Sequence, residues 1–202
     1  MKNKILSIAL LSALTSTAMA GGFYGAVDLG QTTGKGGCSG LPTGYSCNDS
    51  ATAFRFGGGY QFTPNVGIEA NYGILGSGKA SGSETFGGVT YTDSIEAKFT
   101  TLQIAAIGTY PVANSFSLLG KLGIAQTTQD YSSAYRATNG ASGSYSASKT
   151  DTNLAYGIGA QFDISKTVGV RAMYENLGES GDDVNTVKVK LSLLSAGVVF
   201  KF

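Results

Sequence analysis

The stretch Ala53–Gly73 reads AFRFGGGYQFTPNVGIEANYG. Phe54, Phe56, Gly58, Tyr60 and Phe62 fall on one side of a two-residue period, and Arg55, Gly57, Gly59 and Gln61 on the other. That is the pattern of a strand with one apolar face. Thr63-Pro64-Asn65 supplies turn residues, after which Val66, Ile68, Ala70 and Tyr72 alternate with Gly67, Glu69, Asn71 and Gly73. The unit is a hairpin, and its plan of strand, short turn and strand returns around Pro111-Val112-Ala113-Asn114 and around Asp163-Ile164-Ser165-Lys166-Thr167.

On the N-terminal side, Phe23 to Thr32 alternates in the same way and predicts a first strand; Gly34 to Ser50 reads as a loop. The polar stretches Gly76 to Ser94 and Thr128 to Asp151 also read as loops, and Gly178 to Asn185 as a short acidic one. The last strand places Leu194, Ala196, Val198, Phe200 and Phe202 on one face. Val187, Val189, Leu191 and Leu193 make its other face apolar too, so a bulge or register change is expected there. Three tight turns and four long connections then predict an all-β, eight-stranded antiparallel up-and-down barrel, with short turns at one end and long loops at the other.

Composition narrows the setting. Charged residues are 13% of the 202 positions, against about 25% in ordinary soluble domains. Gly numbers 30 and Pro 3, and the regular alternation argues against a disordered Gly-rich chain. Met1-Lys2-Asn3-Lys4, the apolar run Ile5 to Leu14 and Ala18-Met19-Ala20 have the three-part layout of a secretory signal, so removal of residues 1–20 is expected, leaving a barrel domain over 21–202. No later segment is apolar enough for a membrane helix. A chain that enters a membrane without helices must do so as a closed barrel, since lipid offers no partner to an open backbone edge. Strand lengths of about 9–11 membrane residues fit these segments.

The face opposite the apolar one decides between a soluble and a transmembrane barrel. It carries mainly Gly, Ala, Ser, Asn and Gln with isolated charges, which suits a narrow lumen filled by side chains rather than a water-facing wall. The isolated charges assigned to that lumen are Asp28, Arg55, Glu69, Lys121, Arg171 and Glu175. They are expected to neutralise one another, because an unpaired buried charge is costly and an Arg or Lys on the lipid face costs about 2–4 kcal/mol near the midplane. Tyr60, Phe62, Tyr110, Phe116, Phe162, Phe200 and Phe202 lie by the turns, and Phe54, Tyr72, Tyr156 and Tyr174 towards the loops, as two interfacial girdles would require. Cys38 and Cys47 lie in one loop of an exported chain and read as a disulfide.

These residues resemble the OmpA-like transmembrane β-barrel family, including the small outer-membrane surface antigens. The resemblance runs from Phe23 to Phe202 and is carried by Phe23-Tyr24-Gly25-Ala26, Val66-Gly67-Ile68-Glu69-Ala70-Asn71-Tyr72, Lys121-Leu122-Gly123, Tyr156 to Phe162, Arg171-Ala172-Met173-Tyr174-Glu175 and the final Phe. It implies location in the outer membrane and interior ion-pair roles for Glu69, Lys121 and Arg171. It also implies recognition of Phe200 and Phe202 by the barrel assembly machinery. The chain departs from the family pattern at Ala106-Ile107-Gly108-Thr109-Tyr110-Pro111, which lacks an interior Lys, and at Gln161, where relatives carry Glu.

The expected function is a monomeric surface barrel with a structural and interaction role and a lumen filled by polar and paired side chains. The alternative is a small pore of low conductance. Its partners would be outer-membrane lipid, lipopolysaccharide and an extracellular ligand or host surface. Tyr131, Tyr135, Arg136 and Tyr145 offer a contact surface in the longest loop. The sequence holds no His, which removes the Ser-His-Asp, Cys-His and His-metal arrangements, so neither catalysis nor a cofactor is expected. A net charge of +1 without a basic run points away from nucleic acid.

Overall fold

The computed structural model describes residues 21–181 and 188–202. The expected signal at 1–20 and Val187 of the last strand lie outside the described residues. Among the described residues nine strands follow one another: β1 (Gly22–Lys35), β2 (Ser46–Asn48), β3 (Ser50–Thr63), β4 (Val66–Phe86), β5 (Val89–Ala113), β6 (Phe116–Ala137), β7 (Ser142–Asp163), β8 (Val168–Ser180) and β9 (Val189–Lys201). Each long strand pairs antiparallel with the next, and β1 pairs with β9 from Tyr24↔Lys201 to Lys35↔Lys190. The sheet is therefore a closed ring of eight strands. The short β2 pairs only with β4, through Ser46↔Ser81 to Asn48↔Lys79, and prolongs β3 along that edge.

The apolar rows face outward. Leu29, Phe56, Ile104, Leu122, Ile158 and Leu194 are all exposed on the barrel exterior, where lipid removes the penalty that water would impose. The aromatic residues at both ends of these rows are also exposed, Tyr110 at 68% and Tyr156 at 53% among them. Among the described residues no helix is long and apolar enough to cross a membrane; the strands do so.

Two stretches read as loops from sequence are strand almost to their tips. Gly76 to Phe86 pairs with Val89 to Phe99, and Thr128 to Arg136 pairs with Ser142 to Thr150. The apolar alternation used to recognise strands is a membrane requirement, and it lapses once the hairpins stand in water. There the outer face is held by hydroxyl pairs across the ladder, Thr85–Thr90 at 2.8 Å, Ser83–Thr92 at 3.0 Å and Thr128–Thr150 at 2.9 Å. With β5 paired to β6 up to Tyr91↔Ala137, β4 to β7 form a tall wall on one side of the barrel, and β8, β9, β1 and β3 stop lower.

The register change expected at the last strand occurs in its pairing with β8, at Ser192 and Leu191, with the extra residue on β8 rather than on β9. β9 alternates without a break from Val189 to Val199 and keeps an unshifted register with β1. Away from the short turns, the bulges lie on β8 between Asn176 and Gly178 and on β4 between Ile74 and Gly76. Gly178 and Gly76 sit at φ +87 and +81, a left-handed conformation that a side chain would strain. Each bulge leaves one leucine, Leu177 or Leu75, turned into the lumen.

Candidate functional site

The six isolated charges meet in the lumen as a closed ring of ion pairs. Arg55 contacts Asp28 at 3.0 Å and Glu175 at 2.5 Å. Arg171 contacts Asp28 at 2.8 Å and Glu69 at 2.6 Å, and Lys121 contacts Glu69 at 2.8 Å and Glu175 at 3.4 Å. Every cation thus bridges two carboxylates and every carboxylate bridges two cations, three against three. All six side chains are buried. The local sequence makes the space: one of the two cross-strand partners of each is a glycine, as in Asp28↔Gly197, Arg55↔Gly73, Glu69↔Gly59 and Lys121↔Gly157, and Asp28 and Arg55 stand directly opposite each other. Arg171 shares Gly197 with Asp28, and Glu175 shares Gly157 with Lys121.

Three further residues complete the ring and were not singled out from sequence. The Tyr24 hydroxyl donates to Glu69 at 2.9 Å, Asn71 donates to Glu69 at 2.9 Å, and Gln103 donates to Glu175 at 3.0 Å. Their signal was available, since all three lie on the lumen side of the two-residue period, where Tyr24 is an aromatic among small residues. Gln161 lies outside the ring and donates to Asp163, which pairs with Lys201 at 2.7 Å near the turns.

Towards the long-connection end the lumen changes character. Leu75, Phe99, Leu177, Val189, Leu191 and Leu193 form a buried apolar cluster, filled out by Ala53, Ala97, Ala125 and Ala155. The apolar inner face of β9 therefore has partners across the barrel. Beyond it lies the first connection, where Cys38 and Cys47 form a disulfide with a Cα–Cα distance of 5.8 Å.

The loop residues picked out as a contact surface divide. Tyr131, Tyr135 and Tyr145 share the inner face of the tall wall and line one groove of about 460 Å³ with Leu41, Pro42, Tyr45 and Asp93. Arg136, the next residue after Tyr135, points from the opposite face and does not line that groove. Tyr45 was missed because nothing in its loop sequence shows that it reaches β5, where its hydroxyl donates to Asp93 at 2.6 Å. That bond holds the phenol in its protonated form and pushes its pKa up to about 12. Phe200 and Phe202 are exposed, and the Phe202 N–H donates to the Phe23 carbonyl at 3.0 Å, closing the barrel seam. Among the described residues no group of three or more His, Cys, Asp or Glu stands where it could hold a metal ion.

A ring of eight strands with lipid-compatible outer rows, whose strands run on past the membrane at one end, is the form of an outer-membrane barrel, and the family described as outer membrane protein beta-barrel domain matches residues 5–202. The chain belongs to that family. Its place is the outer membrane. Among solved structures it is similar to neisserial surface protein A, with 18% identity, TM-score 0.54, and coverage of 91% of this chain and 100% of that one. It is also similar to Ail, the attachment invasion locus protein of Yersinia pestis, in complex with the heparin analogue sucrose octasulfate (21% identity, TM-score 0.51, 90% and 100% covered). A third is the outer membrane protein OprG of Pseudomonas aeruginosa (12% identity, TM-score 0.51, 91% and 96% covered). At these identities the likeness is one of fold. No curated protein matches the chain.

Proposed function

We propose that this barrel is a surface-interaction protein whose lumen is closed to ions and whose extracellular wall meets ligands. The observation that carries the reading is the charge ring, in which Arg55, Lys121 and Arg171 each engage two carboxylates across the lumen. An aqueous channel would need those groups hydrated and apart; eight strands leave room only for the side chains themselves. The apolar cluster above the ring supports the same reading, since Leu75, Phe99, Leu177, Leu191 and Leu193 fill the lumen there with buried side chains. The ionisable groups of the ring are engaged with one another, which leaves none free for acid or base chemistry, and no catalytic role is assigned. The outward rows are the surface for outer-membrane lipid and lipopolysaccharide, and Phe200 and Phe202 are the residues assigned to recognition by the assembly machinery.

The wall of β4 to β7 is the part offered outside. Ail, a barrel of the same fold, is known in complex with a heparin analogue; on this chain the tyrosine-lined groove of the wall is the contact surface offered, and its carboxylate and aromatic lining suits ligands other than polyanions. Two measurements test the proposal on the mature chain, with insertion checked by the mobility difference between unheated and boiled samples. In a planar bilayer, rare or absent conductance is expected; steady, ion-selective conductance would overturn the closed lumen and put the small-pore reading first. On an array of glycans and peptides, protein in lipid nanodiscs should bind in a way that is lost when residues 129–149 are replaced by a tight turn. Binding indifferent to that change, or none at all, would overturn the surface role.

A further inference from the structure

The groove on the inner face of the wall has a definite electrostatic character. Tyr131 and Tyr145 stand with ring centroids 6.3 Å apart and planes at 59°. Tyr135 lies across Gly143, its cross-strand partner, and Tyr45 lies across Gly82; in both places a Cβ would strike the ring. The four phenol rings therefore border one space, and the glycines opposite allow them to lie close to the wall. Asp93 lines the same groove, its Oδ2 accepting the Tyr45 hydroxyl at 2.6 Å. No Lys or Arg is among the lining residues.

Aromatic faces present the negative side of their quadrupole, and a carboxylate among them adds a full negative charge. A cation entering the groove meets attraction from several sides, and an anion meets repulsion. One carboxylate is too few for a hard divalent ion, which takes about 6–8 oxygen ligands in the case of calcium. Leu41, Pro42 and Ile95 bring apolar surface to the same space, which suits alkyl groups on the cation better than a tightly held water shell. A volume of about 460 Å³ is also in the range of small-molecule sites. We propose that the groove between Tyr45, Tyr131, Tyr135 and Tyr145 binds an organic cation of the alkylammonium class, with Asp93 as its counter-ion. The proposal rests on the surface role above and names the chemistry recognised there.

The test is titration of choline chloride into the mature protein in an alkyl maltoside detergent, read by calorimetry and by tyrosine emission, to which no Trp contributes because the chain has 11 Tyr and no Trp. The neutral isostere 3,3-dimethylbutan-1-ol is titrated in parallel. Saturable choline binding is expected, with the isostere weaker by about tenfold, within the range of desolvated cation–π pairs. Asp93→Asn should weaken choline by a similar factor and leave the isostere unchanged, while Tyr145→Leu should weaken both; retention of the heat-dependent gel shift shows that each variant is folded. Equal affinity for choline and the isostere, or no saturable choline binding by the folded protein, would overturn the proposal. In either case, array binding that still depends on residues 129–149 would show that the cation assignment alone has failed; loss of both results would remove the surface role as well.

Discussion

Arg171 and Asp28, 143 positions apart in the chain, meet through two parallel hydrogen bonds, Nε to Oδ1 at 2.9 Å and Nη2 to Oδ2 at 2.8 Å. The remaining edge of the guanidinium, through Nη1, reaches Glu69 at 2.6 Å. The fork of Arg171 matches one carboxylate bidentately and still has a donor for the next, a geometry that Lys cannot supply. Since Asp28 lies on β1, Glu69 on β4 and Arg171 on β8, this one side chain ties together strands on different sides of the barrel.

Removing it leaves three buried carboxylates against two cations, with Asp28 and Glu69 each reduced to one cationic partner. Breaking a buried pair at one partner costs about 3–5 kcal/mol. Arg171→Leu should therefore lower the urea midpoint of the refolded barrel, followed by the gel shift, far more than Arg136→Leu on the exposed wall. Equal midpoints would show that the ring contributes little to stability. Arg171→Lys should fall between the two, keeping the charge and losing the fork.

Gly197 gives a sharper test of how the ring is accommodated. It faces Asp28 on one side and Arg171 on the other, and a Cβ there would collide with Asp28 Oδ1 and the Val27 carbonyl oxygen. One methyl group should thus force both strands to shift, at about 1–3 kcal/mol. Gly120 is the control, because a Cβ at that position meets nothing within 4 Å. Gly197→Ala is expected to lower the denaturation midpoint and Gly120→Ala to leave it unchanged or raise it slightly. The same result for both would mean that the wall yields freely at Gly197.

The contrast between these glycines shows what the sequence carries and what it does not. Alternation distinguishes the faces, so Asp28, Arg55, Glu69, Lys121, Arg171 and Glu175 can be placed on one side of the wall from sequence. Which cation meets which carboxylate depends on register around a closed ring, and that is a property of all strands together. The same dependence hides the partners of Leu191 and Leu193: Leu75 and Leu177 simply continue the lumen-facing rows of Glu69, Asn71 and Gly73 and of Arg171, Met173 and Glu175, and which leucines they meet is set by how the strands align around the ring. The tall wall was illegible for another reason. Its strands leave the membrane, where one apolar face is no longer required, and Thr, Ser and Tyr alternation was read as loop.

The disulfide should act locally. Cys38 and Cys47 enclose a short segment that carries Leu41, Pro42 and Tyr45 over the groove, outside the strand ring. Cross-linking a loop of about 15 residues contributes about 3 kcal/mol by restricting the open state, and here that term applies to the segment's own opening. Cys38→Ser with Cys47→Ser is expected to leave the gel shift and the urea midpoint unchanged and to expose residues 39–46 to protease. A barrel that loses its heat-dependent shift would show that the bridge is needed for the ring itself.

The bond from Tyr45 to Asp93 gives a pH dependence whose sign can be stated. The phenol pKa rises from its ordinary 10.0 to about 12 in the folded chain because the carboxylate accepts its proton bond. The folded form thus favours the protonated phenol, so the contact contributes fully below the ordinary value and is lost as pH climbs from about 10 towards 12. The phenolate absorbance of the native protein minus that of Tyr45→Phe isolates this one group from the remaining tyrosines. Its midpoint should lie near 12 and move down towards 10 in Asp93→Asn, with protease sensitivity of residues 39–46 rising over the same interval. A difference spectrum centred near 10 in the native protein would mean that the loop does not rest on β5, and would remove the side of the groove that Tyr45 supplies.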